Sequence, residues 1–281
     1  MDLKDKILNG VKKLPTLPTV YSTLSEAIED PRASSEKVAK VLAADQVSAF
    51  KILKVANSPF FGFRGKIDTI TQAIMYLGFT EVRNIVFALT VIDFFSKDKV
   101  LANFKPVDFW AHSIGVGIAT RMIGSAIGEK SVENYFLGGV IHDIGKLLFL
   151  EVAHDEYSTV LDLVETENIS IRIAEKKILG FDHSYAGMLL AEKWQLPKNL
   201  QNVISAHHEG KTGDITDRLV ASVHVADIMA RMLDLGFAGD RLVHEPDKRV
   251  WDILNLPEGY FTSCRKRLIE DFDRTIHIML V

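Results

Sequence analysis

Nine histidines occur in this 281-residue chain, and several stand where an imidazole could take part in cation chemistry. The centre is Gly138-Gly139-Val140-Ile141-His142-Asp143-Ile144-Gly145-Lys146. An adjacent His and Asp at a helix end offer a nitrogen ligand beside a carboxylate able to bridge two cations. Gly145 is read as turning the backbone directly after the pair, which brings Lys146 close to it. A His-Asp dipeptide alone is a weak signal. Followed by Ile-Gly-Lys within an apolar helix, it becomes much more specific.

His207-His208 is the second unusual feature. Consecutive helical residues point about 100° apart, so both rings reach one cation only where the helix ends. Glu209-Gly210 fits such an ending; a solvated terminus that favours positive charge fits it as well. His183 follows Asp182, a residue placed to open a helix, and reads either as a ligand or as a capping or buried, hydrogen-bonded histidine. Asp227 lies in the apolar run Val223 to Met229, where an unpaired carboxylate is costly. His224, three residues earlier on the same helical face, offers Asp227 a simple hydrogen bond instead. His112 sits beside Phe109, Trp110 and Ala111, with Asp108 one turn earlier as a helix-opening carboxylate or a further ligand.

The elements that must position these residues are helices. Apolar residues recur at helical spacing almost throughout, and alternating strand patterns are scarce, so the fold class is all-α. Asp45 opens a helix to Asn57, Gly78 ends the next one, and Thr80 caps Glu81 to Phe95. Ser170 to Leu179 ends at Gly180, and Asp182 opens a helix to Trp194 that Leu196-Pro197 stops. A helix follows from Lys198 to His208, and Asp217 opens another towards Leu235. The pattern breaks near residues 97–107, at Ser96-Lys97-Asp98-Lys99 and Asn103-Phe104-Lys105-Pro106. The charge balance changes sign there too, from 15 basic and 11 acidic residues over 1–105 to 18 and 26 over 106–281. Three parts are therefore expected: a helical N-terminal lobe (1–105), a helical bundle packed with it (106–240), and a tail (241–281). In the tail, Trp251, Phe261, Leu268, Phe272 and Ile276 suit one or two amphipathic helices.

Composition excludes several classes. At 47% hydrophobic and 25% charged residues the chain can bury a core, and a net charge of −4 does not suit a protein that coats nucleic acid. Arg265-Lys266-Arg267 is followed by Glu270, Asp271 and Asp273, the pattern of a solvated helix face. No apolar stretch approaches the ~20 residues of a membrane span. The N-terminus lacks the apolar core of a secretory signal, and the single cysteine, Cys264, cannot form an internal disulfide. A cytoplasmic location is expected.

Taken in order, His112, His142-Asp143, His183, His207-His208 and Asp227 resemble the ligand series of the HD superfamily of metal-dependent phosphohydrolases. The series is closer still to the HD-GYP subgroup, and Lys146 matches the lysine after the pair. The preceding lobe carries Leu14-Pro15-Thr16-Leu17-Pro18, Asp30-Pro31, Val55-Ala56-Asn57-Ser58-Pro59-Phe60-Phe61-Gly62 and Thr69-Ile70-Thr71-Gln72-Ala73-Ile74-Met75-Tyr76-Leu77-Gly78. These motifs resemble HDOD proteins, the HD-related output domains of bacterial signalling. HD-GYP enzymes follow the His-His pair with Gly-Tyr-Pro; this chain reads Glu209-Gly210-Lys211-Thr212-Gly213-Asp214.

The resemblance implies two divalent ions. One would be held by His112, His142, Asp143 and Asp227, and the other by His183, His207 and His208 with Asp143 as the bridge. Mixed imidazole and carboxylate ligation suits Fe, Mn, Zn or Ni. Asp143 and Lys146 are the implied catalytic residues, with Lys146 neutralising a phosphate oxygen as a point charge. Two functions follow. One is a regulatory module with a protein partner in a signalling pathway and a nucleotide or other phosphate-containing ligand. The other is an active phosphodiesterase or phosphatase, for which the missing Gly-Tyr-Pro counts against a cyclic dinucleotide.

Overall fold

The structure, a computed structural model, describes residues 3–280 except 15, 18, 64, 96–100, 102, 103 and 213–216. Pro15 and Pro18 of the first motif, Ser96-Lys97-Asp98-Lys99, Asn103 and Gly213-Asp214 thus lie outside the described residues. All regular structure among the described residues is helical, as the apolar spacing predicts, and the only extended pairing among them is an isolated bridge between Leu101 and Phe104. No single helix among them is long and apolar enough to cross a membrane. The chain divides into two units, residues 17–94 with 269–281, and residues 1–16 with 95–268.

The smaller unit contains α2 (Thr19–Glu29), α3 (Ser35–Ala43), α4 (Gln46–Ala56), α5 (Ile70–Leu77) and most of α6 (Phe79–Phe95). Its sequence motifs are structural devices that tie the connections down. Asp45 caps α4 by accepting from the Val47 amide. The Asn57 side chain bonds Leu53 O at 2.8 Å and, ten residues on, both Ile67 O at 2.7 Å and Ile67 N at 2.8 Å. Thr69 and Gln72 form a capping box at the start of α5, satisfying amides that the helix itself leaves orphaned. The Tyr76 hydroxyl donates to Phe61 O at 2.8 Å, joining the two motif segments. Gly78 ends α5 as expected, but Thr80 does not open α6: that helix already starts at Phe79. The backbone at Gly78 has φ 83°, which redirects the chain within one residue and leaves no room for a separate cap.

The larger unit contains α1 (Leu3–Lys13), α7 (Pro106–Ala126), α8 (Glu133–Ile141), α9 (Ile144–Val152), α10 (His154–Glu167), α11 (Ile171–Leu179), α12 (His183–Lys193), α13 (Lys198–Ala206), α14 (Arg218–Met232) and α15 (Lys248–Leu254). The last helix, α16 (Tyr260–Met279), belongs to this unit up to Leu268. Ser170, Asp182 and Asp217 cap α11, α12 and α14 with their side-chain oxygens, as the sequence predicts for Asp182 and Asp217. α1 is held by α9 and α12, and the Lys193 ammonium donates to the carbonyls of Val11, Lys12 and Leu14 at 2.5–2.7 Å. They lie at the C-terminal end of α1, where carbonyls run short of amides from the helix itself.

α7 is apolar on every side and buried along most of its length, with α8 and α14 against it. The crossing with α8 is unusually close. A Cβ on Gly139 would lie 2.5 Å from the Gly117 Cα and 2.6 Å from its nitrogen. Only two glycines allow that approach, which sets His112 on one helix beside His142 at the end of the other.

Candidate metal centre

His142 and Asp143 occupy the break between α8 and α9, where one helix ends and the next begins. His183 is the first residue of α12, His207 caps the end of α13 with His208 directly after it, and Asp227 lies within α14. His112 projects from α7. The centre is thus built mostly from helix ends, where a side chain escapes the crowding of the next turn.

Gly145 does not turn the chain. It is the second residue of α9, and its role is contact with α12: a Cβ there would overlap the His183 carbonyl oxygen and lie 2.7 Å from the Gly187 nitrogen. That contact brings His183 Nε2 to 3.0 Å from Asp143 Oδ1. Lys146 is fully buried, and its ammonium pairs with Asp143 Oδ2 from one turn along α9.

The sequence-predicted residues converge. Among the described residues, two groups have ligand atoms within 4.8 Å of one another: Asp143, His183, His207 and His208, and His112, His142 and Asp143. His207 Nε2 lies 3.4 Å from Asp143 Oδ1, and His208 Nε2 is 2.8 Å from His183 Nε2. His142 Nε2 lies 3.3 Å from Asp143 Oδ2 and 3.9 Å from Asp227 Oδ1. His112 Nε2 meets the same Asp227 oxygen at 2.9 Å. The ring of His207 is buried, so the solvated-terminus reading of the pair does not apply to it. Asp108 stands in the first turn of α7, the place of a helix-opening carboxylate.

The outer nitrogens are tied down so that the inner ones face the centre. His142 Nδ1–H donates to Gly139 O at 2.7 Å, and His207 Nδ1–H to Ile204 O at 3.0 Å. His183 Nδ1–H donates to Glu175 Oε2 at 2.6 Å, and the same oxygen accepts the His183 backbone amide at 2.8 Å. A ring anchored at Nδ1 keeps Nε2 free as a ligand, the arrangement found around bound metals. His224 does not bond Asp227. Its Nδ1–H donates to His207 O at 2.7 Å, which steadies the backbone of the His-His pair.

Burial and charge set the protonation states. Burial alone would raise the Asp143 carboxyl, but the neighbouring His142, Lys146 and His183 hold it well below the usual range. Asp227 is also held well down, against its burial, by Arg231 and His112. Burial pushes His207 down to about 4 and lowers His112 and His208. For His183 burial acts downward too, yet Glu175 and Asp143 raise it to about 9.

Three residues of this network escaped the motif reading. Glu175 is fully buried on α11, four residues from both Ile171 and Leu179, and a carboxylate on that apolar stripe was the available signal. Its other oxygen accepts from the Tyr157 hydroxyl at 3.3 Å. Arg231, four residues after Asp227 on α14, bonds both Asp227 oxygens at 3.0 and 3.1 Å and Asp240 Oδ1 at 2.8 Å. The i,i+4 spacing of Asp227 and Arg231 was legible. Asp240, which also accepts the Ile171 amide at 3.0 Å, belongs to a loop and was not.

Beside His208 and Asp227 a cavity of about 540 Å³ opens, lined by Arg172, Lys176, Lys211 and His224 among others. Arg172 and Lys176 bond Asp182 at 2.7 and 3.0 Å.

A family model for the HDOD domain matches residues 14–210. A crystal structure of an HDOD domain protein of unknown function from Geobacter sulfurreducens is 26% identical, covers 99% of this chain and 98% of its own, and superposes with a TM-score of 0.83. A candidate phosphohydrolase from Shewanella amazonensis SB2B shares the fold at 21% identity and a TM-score of 0.74, covering 98% and 97% of the two chains. An uncharacterized protein of Treponema pallidum (strain Nichols) is 21% identical over 236 residues, 83% of this chain. The chain spans only 45% of the length of that relative.

Proposed function

The chain belongs to the HDOD family, and on that premise we propose that it is a bacterial signal-transduction regulator with a metal-holding HD-type pocket open to a phosphate-containing ligand. One observation carries the metal reading. His142 Nε2, His207 Nε2 and Asp143 Oδ1 are buried, face one another, and have no hydrogen-bond partner. Three orphaned acceptors in one place are costly unless a cation satisfies them. The donor set fits divalent Fe, Mn, Zn or Ni, with His112, His142, Asp143 and Asp227 on one side and His183, His207, His208 and Asp143 on the other.

A bound ion would supply Lewis acidity towards a phosphoryl oxygen and a more acidic water. The chain's own residues do the rest. Glu175 holds His183 in the productive tautomer, Lys146 balances the buried charge of Asp143, and Lys211 gives the cavity a cationic group for a phosphate beside Arg172 and Lys176, which are paired with Asp182 and, for Arg172, Glu209. In the regulatory reading, ligand occupancy is reported to a protein partner in the signalling pathway. The cavity beside His208 and Asp227 also supports a second reading, an active metal-dependent phosphohydrolase.

Metal analysis of the purified full chain tests the first step. We expect bound divalent metal in the wild type and loss in His207→Ala and Asp143→Ala; a chain that takes up no metal would overturn the reading. A screen of phosphomonoesters, phosphodiesters and cyclic nucleotides then separates the two functions. Turnover that vanishes in both variants identifies a phosphohydrolase, and no turnover in the loaded protein favours the regulator.

A further inference from the structure

The two halves of the pocket are not equivalent. Asp143 uses only Oδ2 to pair with Lys146, and its Oδ1 has no hydrogen-bond partner while His183 and His207 point Nε2 at it from 3.0 and 3.4 Å. That half assembles four ligand atoms within 4.8 Å of one another. Across the pocket, the corresponding group has three members, His112, His142 and Asp143, and Asp227 is not among them.

Asp227 has a cationic partner of its own, Arg231. Its Nε–H donates to both Asp227 oxygens, and the Oδ1 atom also meets His112 Nε2 at 2.9 Å. The guanidinium is buried with Asp227, and Asp240 fixes its other end at 2.8 Å. Asp240 is itself held by the amides of Ile171 and Leu242 at 3.0 Å, so the arginine is anchored rather than free to swing away. A cation approaching Asp227 meets a positive charge already bonded to both oxygens, in a buried setting where repulsion between like charges is poorly screened.

We propose that Arg231 is the resident cation at Asp227, so that one divalent ion loads on Asp143, His183, His207 and His208, beside the His142 ring, while no second ion binds between His112 and Asp227. This rests on the metal reading above and sharpens it from two ions to one. The same residues would still surround a phosphate-containing ligand, with Arg231 and Asp227 as a fixed wall instead of a second metal site.

Equilibrium dialysis of the full chain against micromolar Zn²⁺, read by mass spectrometry of the metal, tests the assignment without any activity assay. The expected content is one ion per chain in the wild type, one in His112→Ala, and none in His208→Ala. Arg231→Gln should bind a second ion. Should that variant fail to fold, the contrast between His112→Ala and His208→Ala decides alone. Two ions in the wild type, or an ion lost in His112→Ala and kept in His208→Ala, would overturn the proposal. A folded Arg231→Gln chain that still binds one ion would overturn it as well. A wild type without any ion would instead defeat the metal reading on which the proposal stands.

Discussion

Gly145 on α9 lies against the carbonyl of His183 on α12, so closely that no side chain fits between them. This contact, rather than a turn after the His-Asp pair, carries the His183 ring to Asp143. Gly145→Ala must therefore separate the two helices. We expect a loss of about 1–3 kcal/mol in urea unfolding, the usual cost of overpacking a buried contact. Metal content should fall with it, because the displaced ring is a proposed ligand. A variant as stable as the wild type would refute the close packing.

Glu175 bonds both the amide and Nδ1 of His183. Glu175→Gln removes the charge and leaves one acceptor where the carboxylate had two. Metal affinity should drop by about 10–100-fold, as for other residues that orient a ligating histidine. The helical circular dichroism spectrum should be unchanged, which distinguishes a positioning role from a folding one.

Removing the metal should lower stability. An ion that binds the folded chain and not the unfolded one contributes about 2.7 kcal/mol at a hundredfold excess over its dissociation constant. Dialysis against a chelator should thus lower the thermal midpoint, and adding back metal should restore it. In Asp143→Ala the midpoint should not respond to either treatment.

Lys193 satisfies three carbonyls at the end of α1. Lys193→Met keeps the apolar stem and removes the donors, at a cost of about 1–2 kcal/mol. The loss should be local. Amide exchange within α1 should accelerate by about tenfold or more while exchange in α7 stays unchanged.

Much of the local structure was legible in the sequence. Asp182 and Asp217 announced their helices because an N-cap is a short-range bond between a side chain and an amide two or three residues on. Thr80 misled, since the abrupt turn at Gly78 lets α6 begin before it. The reading of His224 failed for a different reason. An i,i+3 spacing shows that two side chains share a face, but not that they bond each other, and the carbonyl of His207 from the end of α13 accepts the His224 proton instead.

The order and residue types of His112, His142, Asp143, His183, His207, His208 and Asp227 are given by the sequence alone, and the helix-end placement of all but His112 and Asp227 is a local property. Their convergence, the anchoring of His183 by Glu175 and the pairing of Asp227 with Arg231 and Asp240 were decided by the tertiary structure. A buried charge must find its partner in space, and that partner can come from any helix that packs close enough. Glu175 reached His183 from α11, and Asp240 reached Arg231 from a loop. Only the packed helices determine how the charges of the pocket are shared, and with them how many ions it takes.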